Sequence, residues 1–566
     1  MIPIVNRRFW RVAEADRAVV ARVASTGIPR TVAQLLVLRG IEGAAEVERF
    51  LNPRLEDLSD PFQLTDMRRA VDRIAEARSR EESVVVFGDY DVDGISGTAV
   101  LYRALRRFGL ARASYGMPNR LADGYGLVAD HVRALAESGV TLIITVDNGI
   151  AAHAAAKEAR RLGVDLIVTD HHQIDGALPD ALAVINPKRE GPSYPGAHAS
   201  GVAVAFKLAT ALTGETHDLD LVALGTVADI VPLQAENRIL VAHGIESIRN
   251  APRLGLQKLA SVAGIRVETL TAENIAFQLA PRINAIGRMG DGLAGLHLLL
   301  ADDPGEAQRL ATELNAANEE RRETEKMIFD EAVEELDQLF RPEQRSIVMA
   351  RRGWHPGVIG IVAARIHSKY FRPTVLLSVN EDGVGRGSAR NNIPGFDLVG
   401  ALAACREHLE RFGGHRSAAG LTLAEDRIEA FRCAFEAEAA RLLPSGDLTP
   451  ELAVDAQVSF SEIDSALVAT LERLEPFGHA NPSPVFCTYG AELVPGSVRE
   501  LRGGHIRVAL KESGRVFTAV GFNMADPERY DWTPGSVDVA FTPKFNTWQG
   551  TTTIQLMLKD VRSARD

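Results

Sequence analysis

Residues 84–94 read VVVFGDYDVDG, a run of β-rich apolar residues followed by three closely spaced aspartates. Short apolar runs of the same kind recur further along the chain, at 141–146, 165–169 and 182–186. Helical, Ala- and Arg-rich stretches lie between these runs, at 96–108, 151–162 and 201–213. This βαβα alternation predicts a mostly parallel sheet with helices on both faces. Such sheets bind their ligands at the carboxyl ends of the strands, so we expect a functional site there.

The rest of the chain shows three further patterns. A charged stretch around 305–340 has helical spacing and predicts a solvated connecting helix. A second, shorter α/β pattern follows it, and the last hundred or so residues alternate apolar and polar positions between Gly and Pro turns, which predicts a small β-barrel. We therefore expect an N-terminal helical appendage at 1–60, an α/β domain at 61–255, a helical connector at 256–340, a smaller α/β domain at 341–443 and a barrel at 450–566.

Composition narrows the class of protein. The 566 residues are 46% hydrophobic and 24% charged, which excludes a disordered or fibrous chain. The net charge of −12 argues against a wholly basic nucleic-acid-binding protein, so a polyanion would have to meet a local basic patch or metal ions. The three cysteines form no CxxC pair, which fits neither a disulfide framework nor a thiolate zinc site. Without a signal peptide or a membrane-length apolar run, we expect a cytoplasmic protein with no membrane partner.

The three aspartates after the first apolar run are Asp89, Asp91 and Asp93. In an extended segment alternate side chains point the same way, so these carboxylates can converge. They repel one another unless a cation neutralises them. An Asp-rich turn is one alternative, and an EF-hand calcium loop is another. The EF-hand is disfavoured because its twelfth position would be Val100 instead of Glu, and because a β-run precedes the loop.

Further acidic residues follow the next apolar runs. Asp147 ends the run at 141–146, and Asp170, His171 and His172 end the run at 165–169. Asp229 lies between two later apolar runs. A single strand-end aspartate is most often a helix cap, but two adjacent histidines on a third acid-bearing strand are harder to explain that way. Oxygen ligands with one or two imidazoles suit Mn²⁺ or Mg²⁺, and two such ions could share a carboxylate, activate water and clamp a phosphoryl group.

The motifs DYDVDG, VDNG, DHH and VADIVP, in this order, resemble those of the DHH phosphoesterase superfamily. Other segments narrow the resemblance to the RecJ family of single-stranded-DNA-specific 5′→3′ exonucleases, and they lie at 117–127, 279–292, 385–392, 413–420 and 474–486. The resemblance implies an α/β multidomain protein: a parallel-sheet DHH domain at 61–255, a long linking helix, a smaller α/β DHHA1 domain at 341–443 and a C-terminal OB-fold at 450–566.

The resemblance also implies a role for each site residue. The ligands of two Mn²⁺ or Mg²⁺ ions would be Asp91, Asp93, Asp147, His171 and Asp229, with Asp147 bridging. The other residues of the catalytic set would be Asp89, Asp170 and His172. Of these, Asp89 would be a further ligand or orient one, His172 would contact the scissile phosphate or leaving group, and Asp170 would support an imidazole or cap a helix. The DNA and its 5′-phosphate would be bound by Arg120, Arg282, Arg288, Arg386, Ser388, Arg390 and His415.

Three functions follow as hypotheses. The first, implied by the resemblance, is an exonuclease that threads single-stranded DNA between the DHH and DHHA1 domains and releases 5′-mononucleotides in DNA repair and recombination. The implied partners are a single-stranded-DNA-binding protein and a RecQ-type helicase, and the implied state is a monomer. The second is a hydrolase of nanoRNA, cyclic dinucleotides or adenosine bisphosphate, although such relatives are shorter and lack the OB-fold. The third is a non-catalytic scaffold, which the complete set of acids and histidines disfavours.

The barrel supplies residues that could bind a single strand, since OB-folds combine a basic groove with stacking aromatics. The available side chains are Phe477, His505, Arg507, Phe545 and Trp548. Aromatics in small barrels are more often core residues, so no individual stacking partner is assigned. The interior aspartates, neutralised by cations, would turn a negative pocket into a phosphate site. Strand binding would then depend on local Arg clusters and not on the net charge.

Overall fold

The computed structural model describes residues 8–118, 126–289, 292–443, 448–527, 530–533 and 535–564, without the side chains of residues 288 and 289. The chain divides into two compact units. The first unit comprises Glu48–Glu320 and Leu474–Pro482, and the second comprises Met1–Val47, Arg321–Arg473 and Ser483–Asp566.

The α-helices of the described chain are α1 (Arg17–Ala24), α2 (Arg30–Leu38), α3 (Ala44–Leu51), α4 (Met67–Ser79), α5 (Val92–Arg107), α6 (Ala129–Glu137), α7 (His153–Leu162), α8 (Gly201–Thr213), α9 (Leu219–Ala228), α10 (Ala235–Asn250), α11 (Leu254–Val262), α12 (Ala272–Asn274), α13 (Ala280–Met289), α14 (Leu293–Leu300), α15 (Pro304–Leu339), α16 (Ile359–Tyr370), α17 (Leu398–Ala404), α18 (Ile428–Leu442) and α19 (Ser465–Glu472). A π-helical turn at Ile275–Leu279 joins α12 to α13.

The strands of the described chain are β1 (Phe9–Val12), β2 (Val84–Gly88), β3 (Ala113–Gly116), β4 (Leu142–Val146), β5 (Asp165–Thr169), β6 (Ala183–Ile185), β7 (Ile347–Arg352), β8 (Thr374–Val379), β9 (Val384–Arg390), β10 (Arg411–Gly414), β11 (Ala418–Ala424), β12 (Glu451–Val454), β13 (Ala456–Gln457), β14 (Phe486–Leu493), β15 (Arg499–Leu501), β16 (His505–Glu512), β17 (Arg515–Gly521), β18 (Ser536–Trp548) and β19 (Thr551–Ser563).

The first unit is built on a five-stranded parallel sheet with the order β3-β2-β4-β5-β6. Successive residues of β2 enter two different cores, because side chains alternate between the faces of a strand. Val84 and Val86 pack with residues of α4, α5 and α8, whereas Val85 and Phe87 pack with residues of α6 and α7. Burial on both faces explains why the inner strands β2 and β4 are nearly continuous apolar runs. The predicted parallel sheet with helices on both faces is confirmed.

The second unit contains two larger sheets. One has the order β10-β11-β9-β8-β7 and is antiparallel except between β7 and β8. The other has the order β13-β14-β18-β19-β17-β16-β15, and a further pairing of β14 with β16 closes it into the predicted barrel. A short parallel pair, β1 with β12, lies beside them. The predicted charged helix is also present as α15, and no helix within the described residues is both long and apolar enough to cross a membrane.

Candidate metal centre

The acidic residues of the first unit meet at the carboxyl edge of its sheet. Asp89 follows β2, Asp147 follows β4, and Asp170, His171 and His172 follow β5, which are three adjacent strands. Asp229 comes from outside the sheet, where it caps the C-terminus of α9. Parallel strands end at one edge, so residues far apart in sequence come together there.

The extended conformation expected for residues 89–93 is wrong. The chain enters α5 at Val92, four residues before the predicted start of this helix, because Asp91 caps the helix N-terminus. The Asp91 Oδ1 atom accepts hydrogen bonds from the N–H groups of Asp93 at 3.0 Å and Gly94 at 3.1 Å. Asp91 and Asp93 are therefore brought toward the cluster by a helix cap and a first turn, and not by strand alternation.

The side-chain donor atoms form three overlapping groups, each with all its atoms within 4.8 Å of one another. These groups are Asp89 with Asp91 and Asp147, Asp93 with His171 and Asp229, and Asp147 with His171 and His172. The Nε2 atom of His171 lies 3.0 Å from Asp147 Oδ1, 3.6 Å from Asp229 Oδ2 and 3.8 Å from Asp93 Oδ2. Asp147 belongs to two of the groups, and so does His171.

The start of α8 fixes two of the carboxylates. The N–H groups of Gly201 and Val202 donate to the two oxygens of Asp93 at 2.6 and 2.8 Å. Gly201 also lies directly against Asp147, because a Cβ atom at Gly201 would be 2.5 Å from the Asp147 Cβ. Asp147 itself has a φ of 61°, which costs energy for a residue with a side chain. The geometry of the cluster thus depends on a glycine at the first position of α8.

Asp170 is buried beneath the two histidines and supports them. Its Oδ1 accepts from the backbone N–H groups of His171 at 2.7 Å and His172 at 3.0 Å and lies 2.8 Å from His172 Nδ1, and its Oδ2 accepts from Ile150 N–H at 2.8 Å. Burial alone would raise the pKa of Asp170, but the His172 hydrogen bond and these donors lower it. Burial would likewise lower the pKa of His172, and the hydrogen bond to Asp170 raises it instead.

The other carboxylates are difficult to ionise together. Burial, and then the neighbouring aspartates, raise the pKa values of Asp93 and Asp147 well above the usual range. Burial and Asp91 raise the pKa of Asp229 to about 7. Burial, and then His172, lower the pKa of His171 to about 4, which keeps this imidazole neutral, as a metal ligand must be. A cation would relieve the repulsion within the cluster.

The residues present fit a divalent ion. Among the described residues, neither His171 Nε2 nor Asp229 Oδ2 has a hydrogen-bond partner, although both atoms are buried. Buried polar atoms are normally satisfied, so their convergence indicates a ligand. The set consists of carboxylate oxygens and imidazole nitrogens without a thiolate, which suits Mn²⁺ or Mg²⁺.

Comparison with known proteins identifies the family. The chain matches the DHH family, N-terminal domain over residues 83–226, the DHHA1 domain over 343–441 and the RecJ OB domain over 454–560. It is 38% identical over 564 residues to the single-stranded-DNA-specific exonuclease RecJ of Bacillus subtilis (strain 168). The matched region covers 98% of this chain and 71% of that protein. The chain belongs to the RecJ family. The predicted order of domains, DHH, then DHHA1, then OB, is thereby confirmed.

Two crystal structures of RecJ from Thermus thermophilus resemble the present one. The complex with Mn²⁺ matches with a TM-score of 0.84 and 32% identity, covering 98% of this chain and 79% of that chain. The complex with Mg²⁺ matches with a TM-score of 0.77 and 30% identity, covering 98% and 78%. The RecJ family therefore includes a member that binds both ions to which the donor set of this cluster is suited.

The residues expected at the 5′-phosphate fall into several places. Arg386, Ser388 and Arg390 alternate along β9, so they project from one side of that strand. The Arg390 Nη1 donates to Ser388 Oγ at 2.9 Å and to the Ala389 carbonyl at 2.8 Å, and burial lowers the Arg390 pKa. His415 is exposed in the turn between β10 and β11.

Helix α16 approaches this part of β9 closely. Gly360 lies in its first turn, and a Cβ atom there would be 2.8 Å from both Ser388 Oγ and Arg390 Nη2. The structure thus brings Ser388 and Arg390 together beside a helix N-terminus, an arrangement that suits an anion.

The three remaining arginines belong to the first unit. Arg282 donates to the Asn315 side chain at 2.9 Å and to the Gln278 carbonyl at 2.7 Å. Arg288 lies on α13, but its side chain is outside the described residues, as is the whole of Arg120.

Sequence reasoning missed residues that act through the backbone. Asn148 of the VDNG motif donates to the carbonyls of Phe87 at 3.1 Å and Val146 at 2.9 Å, which ties the ends of β2 and β4 together. Asn284, within the segment 279–292, accepts from the Val92 N–H at 3.1 Å at the start of α5. Asn148 and Asn284 lie inside segments that carry the family resemblance, and this could have indicated their importance. Gly201 and Asn237 lie outside those segments, so the sequence offered no such indication for them.

Proposed function

We propose that this protein is a metal-dependent 5′→3′ exonuclease that hydrolyses single-stranded DNA to 5′-mononucleotides. The observation that carries the proposal is the convergence of three overlapping ligand groups at the carboxyl edge of the sheet, two of which contain Asp147. The chain belongs to the RecJ family, and its relative in Bacillus subtilis is named a single-stranded-DNA-specific exonuclease. This relationship supports single-stranded DNA as the substrate.

Two ions would be held by two sets of side chains. One set is Asp89, Asp91 and Asp147, and the other is Asp93, His171 and Asp229. The Asp147 Oδ1 atom lies 3.0 Å from His171 Nε2, so Asp147 would serve both sets. A pair of Mn²⁺ or Mg²⁺ ions would supply Lewis-acid stabilisation of the phosphoryl oxygens and make the attacking water more acidic. The two ions would also balance the negative charge of the carboxylates.

His172 would act on the substrate itself. It is half-exposed, unlike His171, and the raised pKa caused by Asp170 favours its protonated form. A protonated imidazole beside the cluster can donate to an oxygen of the scissile phosphate or to the leaving group. Asp170 would fix the ring and the charge of His172, in the way that a carboxylate commonly orients a catalytic histidine.

A 5′-phosphate would be bound in the second unit by Ser388 and Arg390. Within the described chain, the hydrogen-bond partners of the Arg390 guanidinium are neutral oxygens, so its partly buried charge lacks a counter-ion. A phosphate would supply that counter-ion, and its oxygens would accept hydrogen bonds from paired N–H groups of the guanidinium. Arg386 on the same strand and His415 would extend this site. The assignments of Arg120, Arg282 and Arg288 to the DNA remain predictions, and so does threading of the strand between the two domains.

The proposal extends to the cellular role. Repair and recombination generate the single strands that such an enzyme would degrade. A RecQ-type helicase would supply these strands, and a single-stranded-DNA-binding protein would cover them. We propose a monomer, since one chain contains both ligand sets. We also propose that it acts in the cytoplasm, as expected from the sequence.

The proposal is tested with a single-stranded oligonucleotide that carries a 5′-phosphate. Labelled at the 5′ end, it should release the label as mononucleotide from the first turnover, with either Mn²⁺ or Mg²⁺. Asp147→Asn should lower the rate by on the order of 10³-fold, since several kcal/mol of metal stabilisation depend on this carboxylate. Asp165→Asn is the matched control, because Asp165 begins strand β5 at the end opposite to His171.

Three results would contradict the proposal. Wild-type protein that releases no nucleotide, or Asp147→Asn protein that retains full activity, would refute the metal-dependent exonuclease. A strong preference for dinucleotides over long strands would favour the nanoRNA or cyclic-dinucleotide hydrolase. Binding of single strands without metal-dependent turnover would favour the scaffold.

A further inference from the structure

Three consecutive polar residues at the start of α10 are all buried. Glu236, Asn237 and Arg238 are only 2 to 3% exposed. Successive residues of a helix point about 100° apart, so three in a row rarely face the interior together. Charged and amide side chains are buried at a cost unless they are hydrogen-bonded. Each of the three makes hydrogen bonds to a different part of the surrounding structure.

Asn237 connects two loops that lead to metal ligands. Its Nδ2 donates to the His198 carbonyl at 2.7 Å and to the Pro232 carbonyl at 3.0 Å. Pro232 lies three residues after Asp229. His198 precedes Ala199, whose backbone carbonyl accepts a hydrogen bond from the imidazole of His171. One amide group thus holds together the chain segments that place His171 and Asp229, whose donor atoms are 3.6 Å apart.

The Asp229 loop depends on such backbone contacts. After Asp229 the chain turns at Ile230, which has a φ of 58°, a conformation that is costly for a β-branched residue. The Ile230 side chain is 69% exposed, so it contributes little packing. Further along the loop, backbone groups are held at Pro232 by Asn237 and at Leu233, whose N–H donates to the His479 carbonyl at 2.8 Å.

The neighbours of Asn237 anchor the helix that carries it. The Oε1 of Glu236 accepts from the Ser59 N–H at 2.6 Å and from Lys207 Nζ at 2.9 Å. The guanidinium of Arg238 donates to the carbonyls of Phe50 at 2.9 Å, Leu474 at 2.9 Å and Glu475 at 2.8 Å. Because α10 is fixed on both sides of Asn237, the amide acts as a rigid spacer between the two loops.

We propose that Asn237 is a positioning residue for the metal centre: it sets the separation of His171 and Asp229 and thereby the affinity of the Asp93, His171 and Asp229 group for its ion. The inference rests on the proposed function insofar as that function requires an ion at this group. Residues that orient metal ligands without touching the metal commonly change metal affinity by about 10- to 100-fold. The ion at Asp89, Asp91 and Asp147 should be unaffected by Asn237.

The test measures Mn²⁺ binding to the full chain without DNA, from the electron paramagnetic resonance signal of free Mn²⁺. Asn237→Ala should lower the affinity for one of the two Mn²⁺ ions by about 10- to 100-fold and leave the affinity for the other unchanged. Nuclease activity should recover at high Mn²⁺ concentration. Asn237→Ser retains one hydroxyl donor, so its loss of Mn²⁺ affinity should be intermediate. This variant replaces Asn237→Ala if the alanine variant does not fold.

Arg249→Ala is the matched control. Arg249 lies in the last turn of the same helix, α10, and its Nε donates to the Leu270 carbonyl at 2.7 Å, away from the residues that hold the Asp229 loop. It should lower the melting temperature as Asn237→Ala does, yet bind both Mn²⁺ ions like wild type. Wild-type Mn²⁺ affinity in a folded Asn237 variant, or equal losses in the Asn237 and Arg249 variants, would overturn the inference. A wild-type protein that binds Mn²⁺ but cleaves no DNA would refute only the proposed function.

Discussion

Gly201→Ala is the substitution whose effect on the metal centre can be worked out most fully. Gly201 is the first residue of α8, and its N–H donates to Asp93 at 2.6 Å. An added Cβ atom would lie 2.5 Å from Asp147 Cβ and 2.7 Å from both Asp147 Cγ and Oδ1. The added methyl group would therefore press against the carboxylate that is proposed to serve both ions.

The size of the effect follows from these distances. Carbon atoms pack at roughly 3.5 Å, so either Asp147 or the start of α8 must move by about 1 Å. Movement of Asp147 displaces the shared carboxylate, and movement of α8 breaks the hydrogen bonds to Asp93. A misplacement of about 1 Å in a catalytic group costs on the order of 10²-fold in rate. Overpacking should lower the free energy of unfolding by about 1–3 kcal/mol as well.

The assay compares kcat for mononucleotide release with the free energy of unfolding from urea titration. Gly255→Ala is the control, since a Cβ atom there would lie 2.0 Å from the Leu298 carbonyl oxygen, on helices that carry no residue of the cluster. It should lose stability like Gly201→Ala but retain wild-type kcat at a temperature where it is folded. Folded Gly201→Ala protein with undiminished kcat, or an equal loss of kcat in Gly255→Ala, would refute the reasoning.

Three other predictions concern charge. The side chain of Asp218 is buried among arginines that lower its pKa against the opposing effect of burial. Its contribution to the stability of the fold is therefore present above about pH 4, near the pKa of an unfolded Asp. That contribution is lost as the pH falls through the lower pKa of Asp218 in the folded state. Asp218→Asn should cost about 3 kcal/mol at pH 7 in urea titrations, and this difference should shrink toward pH 3; a constant difference would contradict it. Because burial and then Asp91 raise the pKa of Asp229 to about 7, Mn²⁺ binding should release protons and weaken below pH 7, which calorimetry in buffers of different ionisation enthalpy measures; binding without proton release would contradict it. Arg390→Lys should raise KM for 5′-phosphorylated strands more than for 5′-hydroxyl strands, because lysine cannot form the paired contact, and equal changes would exclude a phosphate contact.

Much of the fold could be predicted because its physical causes are local. Strands β2, β4 and β5 are mostly apolar, since helices cover both faces of the sheet there, and this made them recognisable. The start of α5 was misjudged for an equally local reason. The residues that begin this helix are the aspartates that point into the cluster, so the capping role of Asp91 was hidden behind its expected role as a ligand.

The cluster itself could be predicted because the ends of adjacent parallel strands meet. Its supporting residues could not. The need for glycine at 201 arises from the side chain of Asp147, and the need for Asn237 arises from carbonyls at 198 and 232, none of which is visible in the local sequence. The arginines were equally difficult, because residue type and motif do not show that Arg282 is hydrogen-bonded to Asn315, whereas Arg390 lies with Ser388 beside the start of a helix.

The central claim is that two ions share Asp147, and anomalous diffraction at the manganese edge tests it most directly. Crystals of the full chain grown with Mn²⁺ should show two anomalous peaks about 3.5–4 Å apart, the usual spacing of a two-metal site. Both peaks should contact Asp147, one together with Asp89 and Asp91, the other together with Asp93, His171 and Asp229. A single peak at saturating Mn²⁺, or two peaks that do not share Asp147, would contradict the account.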